Sequence, residues 1–167
     1  VREGLFDDVD LAITPHIGAE FGVGYGLIQS ALISATFTFH GETAHAGVAP
    51  WKGRDALDGV VLMDVGMAEY REHMTKSMSA QRVITNGGDL PNVIPRKASV
   101  WWYFRDSTAE GAMKLFERAK KIAQGAALMS DTTVEVDVMS AVWPVRGNQT
   151  VAELVQREYE RVGQPDW

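Results

Sequence analysis

The chain has 167 residues, no cysteine and a formal net charge of -6. An apolar fraction of 46% and a charged fraction of 23% suit an ordinary globular protein, with one domain and a real core or one domain plus pieces of another. The missing thiols exclude disulfides, thiolate metal sites and a cysteine nucleophile, the acidic balance argues against nucleic acid, and no run nears the roughly 18 apolar residues of a membrane span.

Residues 1–32 have weak periodicity. Val9 to Ile13 reads as a short buried strand ending at Thr14-Pro15-His16, and Gly18, Gly22, Gly24 and Gly26 mark a loop. The spacing Gly22-Val23-Gly24-Tyr25-Gly26 is wrong for a dinucleotide fingerprint, and a strand rather than a helix follows it. Ile33, Ala35, Phe37 and Phe39 alternate with Ser34, Thr36, Thr38 and His40, which predicts a half-buried strand. A small-residue turn follows, carrying His45. From Ala56 the period changes, and Leu57, Val60, Val61, Val65 and Ala68 predict a helix that fades near Met74.

Ala80 to Asn86 predicts a second strand, closed by Gly87-Gly88, and Pro91 and Pro95 bracket a stiff loop around Asn92. In the third strand Ala98, Val100, Trp102 and Phe104 share one face, and Ser99, Trp101, Tyr103 and Arg105 the other. Core packing between sheet and helix is the expectation for the Trp101-Trp102-Tyr103 run, because the acidic balance disfavours base stacking. Ser107 and Glu110 have capping-box spacing before a helix whose inner face is Met113, Phe116, Ala119, Ile122, Ala123 and Ala126. Thr133 to Val138 predicts a fourth strand with Val134, Val136 and Val138 inward, and Pro144 and Gly147 end the unit. Thr150 and Glu153 suggest a second capping box, opening a terminal helix to about Val162.

The order strand, helix, strand, strand, helix, strand from Ile33 to Val142 predicts an α+β, ferredoxin-like unit: a four-stranded antiparallel sheet with two helices on one face. The segments outside it read as two ends of a second domain into which the first is inserted. This divides the chain at 1–32, 33–143 and 144–167. The sequence opens at Val1 and stops at Trp167 directly after a helical pattern, so a piece of a longer protein is expected. With no leader and no cysteine, the expected location is cytoplasmic.

Four side chains invite chemistry. His45 lies among small residues that let another surface approach its imidazole. His16 closes a strand pattern before a glycine, a position open to a metal ligand or to an ordinary surface histidine. Arg105 could fork onto a substrate carboxylate or pair with Asp106 or Glu110. Asn92 could orient a substrate group or simply make a turn. His73 reads as solvated and His40 as structural. Phosphate-loop lysine and nucleophile-elbow motifs are absent.

The run Gly41-Glu42-Thr43-Ala44-His45-Ala46-Gly47 … Pro50 … Gly53-Arg54-Asp55-Ala56-Leu57 resembles the lid, or dimerisation, domain of the aminoacylase/carboxypeptidase G family of dinuclear metallohydrolases. Ile84-Thr85-Asn86-Gly87-Gly88 … Pro91-Asn92-Val93-Ile94-Pro95 … Arg105 is similar to that family's second lid signature. Two further runs, Arg54-Asp55-Ala56-Leu57-Asp58 … Met63-Asp64-Val65-Gly66 and Ala123-Gln124-Gly125-Ala126-Ala127-Leu128-Met129, narrow the match within the family. The resemblance covers nearly the whole chain.

It implies a metal-dependent hydrolase acting on the amide bond of an N-acyl amino acid or an aryl-amide of glutamate, with two divalent metals, zinc or manganese, in a separate catalytic domain. It gives His45 the oxyanion in the partner subunit's active site, Asn92 and Arg105 the substrate carboxylate, and His16 a metal. The remaining ligands and the catalytic glutamate are not matched by any residue here, so this polypeptide alone is expected to hydrolyse nothing. A homodimer is implied, or a hetero-oligomer with a paralogous subunit, with neither nucleic acid nor membrane as partner. The competing expectation is a non-catalytic ferredoxin-like module for pairing or ligand binding, because the fold alone does not fix function.

Overall fold

Alternating small and aromatic residues build the central strand. The computed structural model describes residues 3–16 and 22–163. Its first two strands are β1 (Gly26–Gln29) and β2 (Ala31–His40). β2 buries Ala31, Ile33, Ala35, Phe37 and Phe39 on one face. It pairs antiparallel along its whole length with β4 (Lys97–Asp106), from Ala31↔Asp106 to His40↔Lys97. Its other neighbour is β5 (Thr133–Val142), and β3 (Ser79–Asn86) pairs with the far side of β4. The sheet order is β3-β4-β2-β5, every pair antiparallel. This is the expected ferredoxin-like arrangement, with each helix crossing over one intervening strand.

Helices α1 (Ala56–Tyr70) and α2 (Ala109–Met129) cover one face of the sheet. α1 buries Val60, Met63 and Met67; α2 buries Ala112, Leu115, Phe116, Ala119 and Ala123. Between them and the sheet Phe37, Phe104 and Phe116 form an aromatic triad with centroids 5.7–6.4 Å apart. Gly59 lets α1 settle on β2, because a Cβ there would lie 2.3 Å from Phe39 Cδ1. At the β3 edge, Arg82 takes both carboxylate oxygens of Asp64 on α1.

Strands β1 and β6 (Val145–Gly147) form a separate two-stranded ribbon, with Gly26 opposite Gly147. Tyr25–Gly147 forms one compact unit. In the other, α3 (Gln149–Val162) buries only Ala152. No helix among the described residues is long and apolar enough to cross a membrane.

Several local expectations are corrected. Val9–Ile13 is not a strand; Val9, Leu11 and Ile13 are about half exposed or more (48%, 52% and 63%), and no described strand pairs with them. Gly18 lies outside the described residues, and Gly26 opens β1 instead of belonging to a loop. α1 stops at Tyr70 and a 3-10 turn, Arg71–His73, carries the chain on toward Met74.

Each capping position also shifts. Thr108, not Ser107, caps α2 by accepting from Gly111 N at 3.0 Å. Asn148, not Thr150, caps α3 by accepting from Val151 N at 3.2 Å. The buried stripe of α2 runs through Ala112 and Leu115 and leaves Met113 exposed. Val134 and Val136 pack on the core, but Val138 is exposed beside a bulge that sets Ser140 opposite Ser34 and Val138 opposite Ala35.

Candidate functional site

The His45 turn is held at its neck and along one flank. Past β2, Glu42 and Arg54 exchange backbone hydrogen bonds of 2.9 Å and close the loop between them. Gly41 is needed at this crossing, since a Cβ there would meet Arg54 O at 1.9 Å. Arg54 also ties the neck outward, with Nε 2.6 Å from Asp131 Oδ2 in the turn after α2 and Nη1 3.4 Å from Glu42. The sequence marked Arg54 only as part of a motif. Its partner Asp131 is a non-glycine residue at φ 52, a conformation that no pattern in the sequence marks.

Inside the loop His45 O accepts from Val48 N and Ala49 N, and His45 Nδ1 accepts from Gly47 N at 3.2 Å. With Nδ1 accepting, the neutral ring carries its proton on Nε2. The side chain is exposed, so the turn presents an N–H donor to whatever docks on it.

The Asn92 loop lies alongside. Ala46 N donates to Asn92 O and Ile94 N to Ala44 O, each at 2.9 Å, which sets His45 opposite Val93. Ala56 N, opening α1, donates to Pro95 O at 2.9 Å. His45 and Asn92 thus sit on two antiparallel segments stitched by main-chain bonds, and the Asn92 side chain is exposed like the imidazole. Next along the chain Asp55 caps α1 by accepting from Leu57 N at 2.7 Å, and burial, then the nearby Asp55, raises the Asp58 carboxyl above its ordinary value.

Arg105 lies elsewhere. The β4 residue at the His45 end is Lys97, paired with His40, and Arg105 is opposite Leu32 and Ser79 near the other end. Eight residues of extended chain separate the two by roughly 26 Å. Neither Asp106 nor Glu110 neutralises Arg105. Asp106 turns to the buried side, where Oδ2 accepts from Thr108 Oγ1 at 2.8 Å, and Glu110 pairs with Lys114 at 2.9 Å. Among the described residues Arg105 forms no ion pair; its guanidinium lies 5.4 Å over the Tyr103 ring.

The expectation of core packing for the aromatic run holds for Trp102 alone, which is buried. Trp101 and Tyr103 stand half-buried on the face away from the helices, 5.2 Å apart edge to face. The Trp101 indole N–H donates to Ser34 Oγ at 2.8 Å. Strand alternation sends neighbours to opposite faces, so the three could not all pack inward.

His16 is exposed on an irregular stretch. No group of three or more histidine, aspartate or glutamate residues able to hold a metal forms among the described residues. His40 Nε2 lies 3.5 Å from Glu135 on the neighbouring strand, in keeping with a structural role.

Residues 28–129 match the family described as the peptidase dimerisation domain. A p-aminobenzoyl-glutamate hydrolase subunit of Escherichia coli (strain K12) is 38% identical over 168 residues, taking in 100% of this chain and 35% of that protein. The Xaa-Arg dipeptidase of Homo sapiens is 30% identical over 136 residues, 81% of this chain and 31% of the relative. The crystal structure of an aminobenzoyl-glutamate utilization protein from Klebsiella pneumoniae aligns with a TM-score of 0.68 at 24% identity, covering 89% of this chain and 39% of that one. That likeness shows the fold. The chain spans about a third of the length of these curated relatives. The two runs that narrow the sequence resemblance are similar to the same Escherichia coli hydrolase.

Proposed function

The chain belongs to the peptidase dimerisation domain family, and on that premise we propose that it is the lid and dimerisation part of a metal-dependent amidohydrolase. The reaction is hydrolysis of a linear amide C–N bond in an N-acyl or p-aminobenzoyl amino acid of the glutamate type, a substrate suggested by the name of the Escherichia coli relative. Residues 33–143 are the lid, and residues 1–32 and 144–167 belong to the metal-binding catalytic domain. A cytoplasmic setting is part of the same proposal.

The observation that carries this reading is the His45 turn. Its ring is oriented by Gly47 N–H, its main chain is clamped to the Asn92 loop, and its remaining nitrogen faces outward as a donor. A donor fixed before substrate arrives can stabilise the oxyanion that grows as water adds to an amide carbonyl. Asn92 and Arg105 hold the substrate carboxylate. Two divalent metal ions, zinc or manganese, would polarise the carbonyl and activate the water. The described residues do not form a site for them. His16 supplies one ligand in this reading, and no step is routed through the metals.

One chain cannot bring His45, Asn92 and Arg105 to one substrate, because β4 separates them. Two copies can. β3 is an open edge with Val83 and Ile84 exposed, and Val61 and Val65 are exposed on the flank of α1 that holds Asp64 against β3. Both edge strands carry a register shift, and the other edge, β5, adds the charged Glu135 and Asp137, which discourage strand addition. Pairing β3 with a partner's β3 about a two-fold axis runs the strands antiparallel. The His45–Asn92 end of one copy then stands beside the Arg105 end of the other. The partner is a second copy or a paralogous subunit.

The test is His45→Ala in the complete, metal-loaded enzyme. kcat should fall by about 10²–10³ with metal content unchanged, while Arg105→Ala should chiefly raise KM. An unchanged kcat in the His45 variant would remove the oxyanion role.

A further inference from the structure

The open face of the sheet carries a short ladder of side chains from β4. Arg105, Tyr103 and Trp101 follow one another on β4, and Val83 of β3 lies beside Trp101. The guanidinium has no carboxylate partner among the described residues and rests 5.4 Å over Tyr103. Tyr103 meets Trp101 edge to face, and the Trp101 indole is pinned by Ser34. A lone cation next to two oriented, half-buried rings, on the face opposite α1 and α2, is a surface for an anion joined to an apolar planar group.

We propose that Trp101 and Tyr103 form the wall that reads the acyl group of the substrate, and that they select arylacyl over alkylacyl amino acids. The proposal rests on the carboxylate-binding role given above to Arg105. In an arylacyl amino acid the α-carboxylate and the ring centre are roughly 6 Å apart, by ordinary bond lengths. A carboxylate forked onto Arg105 therefore puts its ring within reach of the indole–phenol pair. The guanidinium already takes the Tyr103 face, which leaves the Trp101 indole as the main stacking surface. The hydrogen bond to Ser34 keeps that ring from having to be ordered on binding. Charge complementarity and the short reach single out this occupant; a plain alkylacyl chain would satisfy the cation but leave the rings unused.

The experiment compares kcat/KM for N-benzoyl-glutamate and N-acetyl-glutamate in the complete, metal-loaded enzyme. Trp101→Leu and Tyr103→Leu should each lower the benzoyl-to-acetyl ratio about three- to tenfold, mostly through KM of the benzoyl substrate. Arg105→Ala should weaken both substrates alike. Equal loss on both substrates in the Trp101 and Tyr103 variants would make the rings a support for Arg105 and overturn the proposal, as would no loss on either. If instead Arg105→Ala changes neither substrate, the carboxylate reading fails, and the ratio still tests the wall by itself. Should the leucine variants not fold, the wild-type enzyme decides: N-benzoyl-glutamate must outperform N-cyclohexanecarbonyl-glutamate, equal in size but without a π face, by a similar factor, and equal turnover overturns the proposal.

Discussion

Asp106 shows how a single side chain joins the sheet to the helix after it. It ends β4 almost fully buried, and its Oδ2 accepts from both the hydroxyl and the N–H of Thr108, the residue that caps α2. Burial pushes this carboxyl up, yet hydrogen bonds from Ser77, Thr108 and the main chain of Thr108 and Ser107 together outweigh it and hold the group below its ordinary value. A group depressed in the folded state stabilises the fold fully above its unfolded value, near pH 4, and loses that contribution as pH falls through the folded one. Asp106→Asn should therefore lower Tm at pH 7, and the gap from wild type should narrow in melts taken below about pH 4. A gap independent of pH would show that the loss is one of packing rather than charge. The sequence pointed to the neighbouring Ser107 as the cap. Ser and Thr both serve there, and only the position at which the chain turns helical separates them.

At the scale of elements, β4 does two jobs with one alternation. Its even-numbered residues from Ala98 to Phe104 complete the core, and its odd-numbered residues make the open face. The four strands and two helices were legible because period two and period 3.6 are imposed by the side of the chain that must be dry. What was not legible was which end of the sheet each motif reaches. Asn92 and Arg105 are neighbours in a signature, but the chain between them is mostly extended strand, the conformation that carries its ends furthest apart. The bulge in β5 was hidden for a similar reason, since Val138 continues the pattern and only pairing with β2 exposes it. Packing of α1 on β2 depends on a missing side chain. Gly59→Val should cost about 1–3 kcal/mol in chemical denaturation, because Phe39 occupies the space its Cβ needs. A neutral result would mean that α1 can ride outward without penalty.

At the scale of the whole molecule, the separation of His45 from Arg105 turns a question of catalysis into one of stoichiometry. If each site draws His45 and Asn92 from one copy and Arg105 from the other, a dimer of His45→Ala with Arg105→Ala subunits contains one intact site and one doubly damaged site. Co-expression of the two variants should then restore about a quarter of wild-type activity at low substrate, given random pairing. Each variant alone should stay far below that. No recovery on mixing would place the three residues in the same chain's site and overturn the two-copy geometry.

The ribbon of β1 and β6 has a different consequence. The unit Tyr25–Gly147 starts and finishes on two adjacent antiparallel strands, with Gly26 facing Gly147. Paired residues in such a ladder have Cα atoms only about 5 Å apart. A unit with both ends at one point is a cassette: it can be gained, lost or exchanged between hosts at a single surface junction, leaving the path of the recipient chain unbroken. Descent inferred from such a unit need not match descent inferred from the chain on either side of its junction.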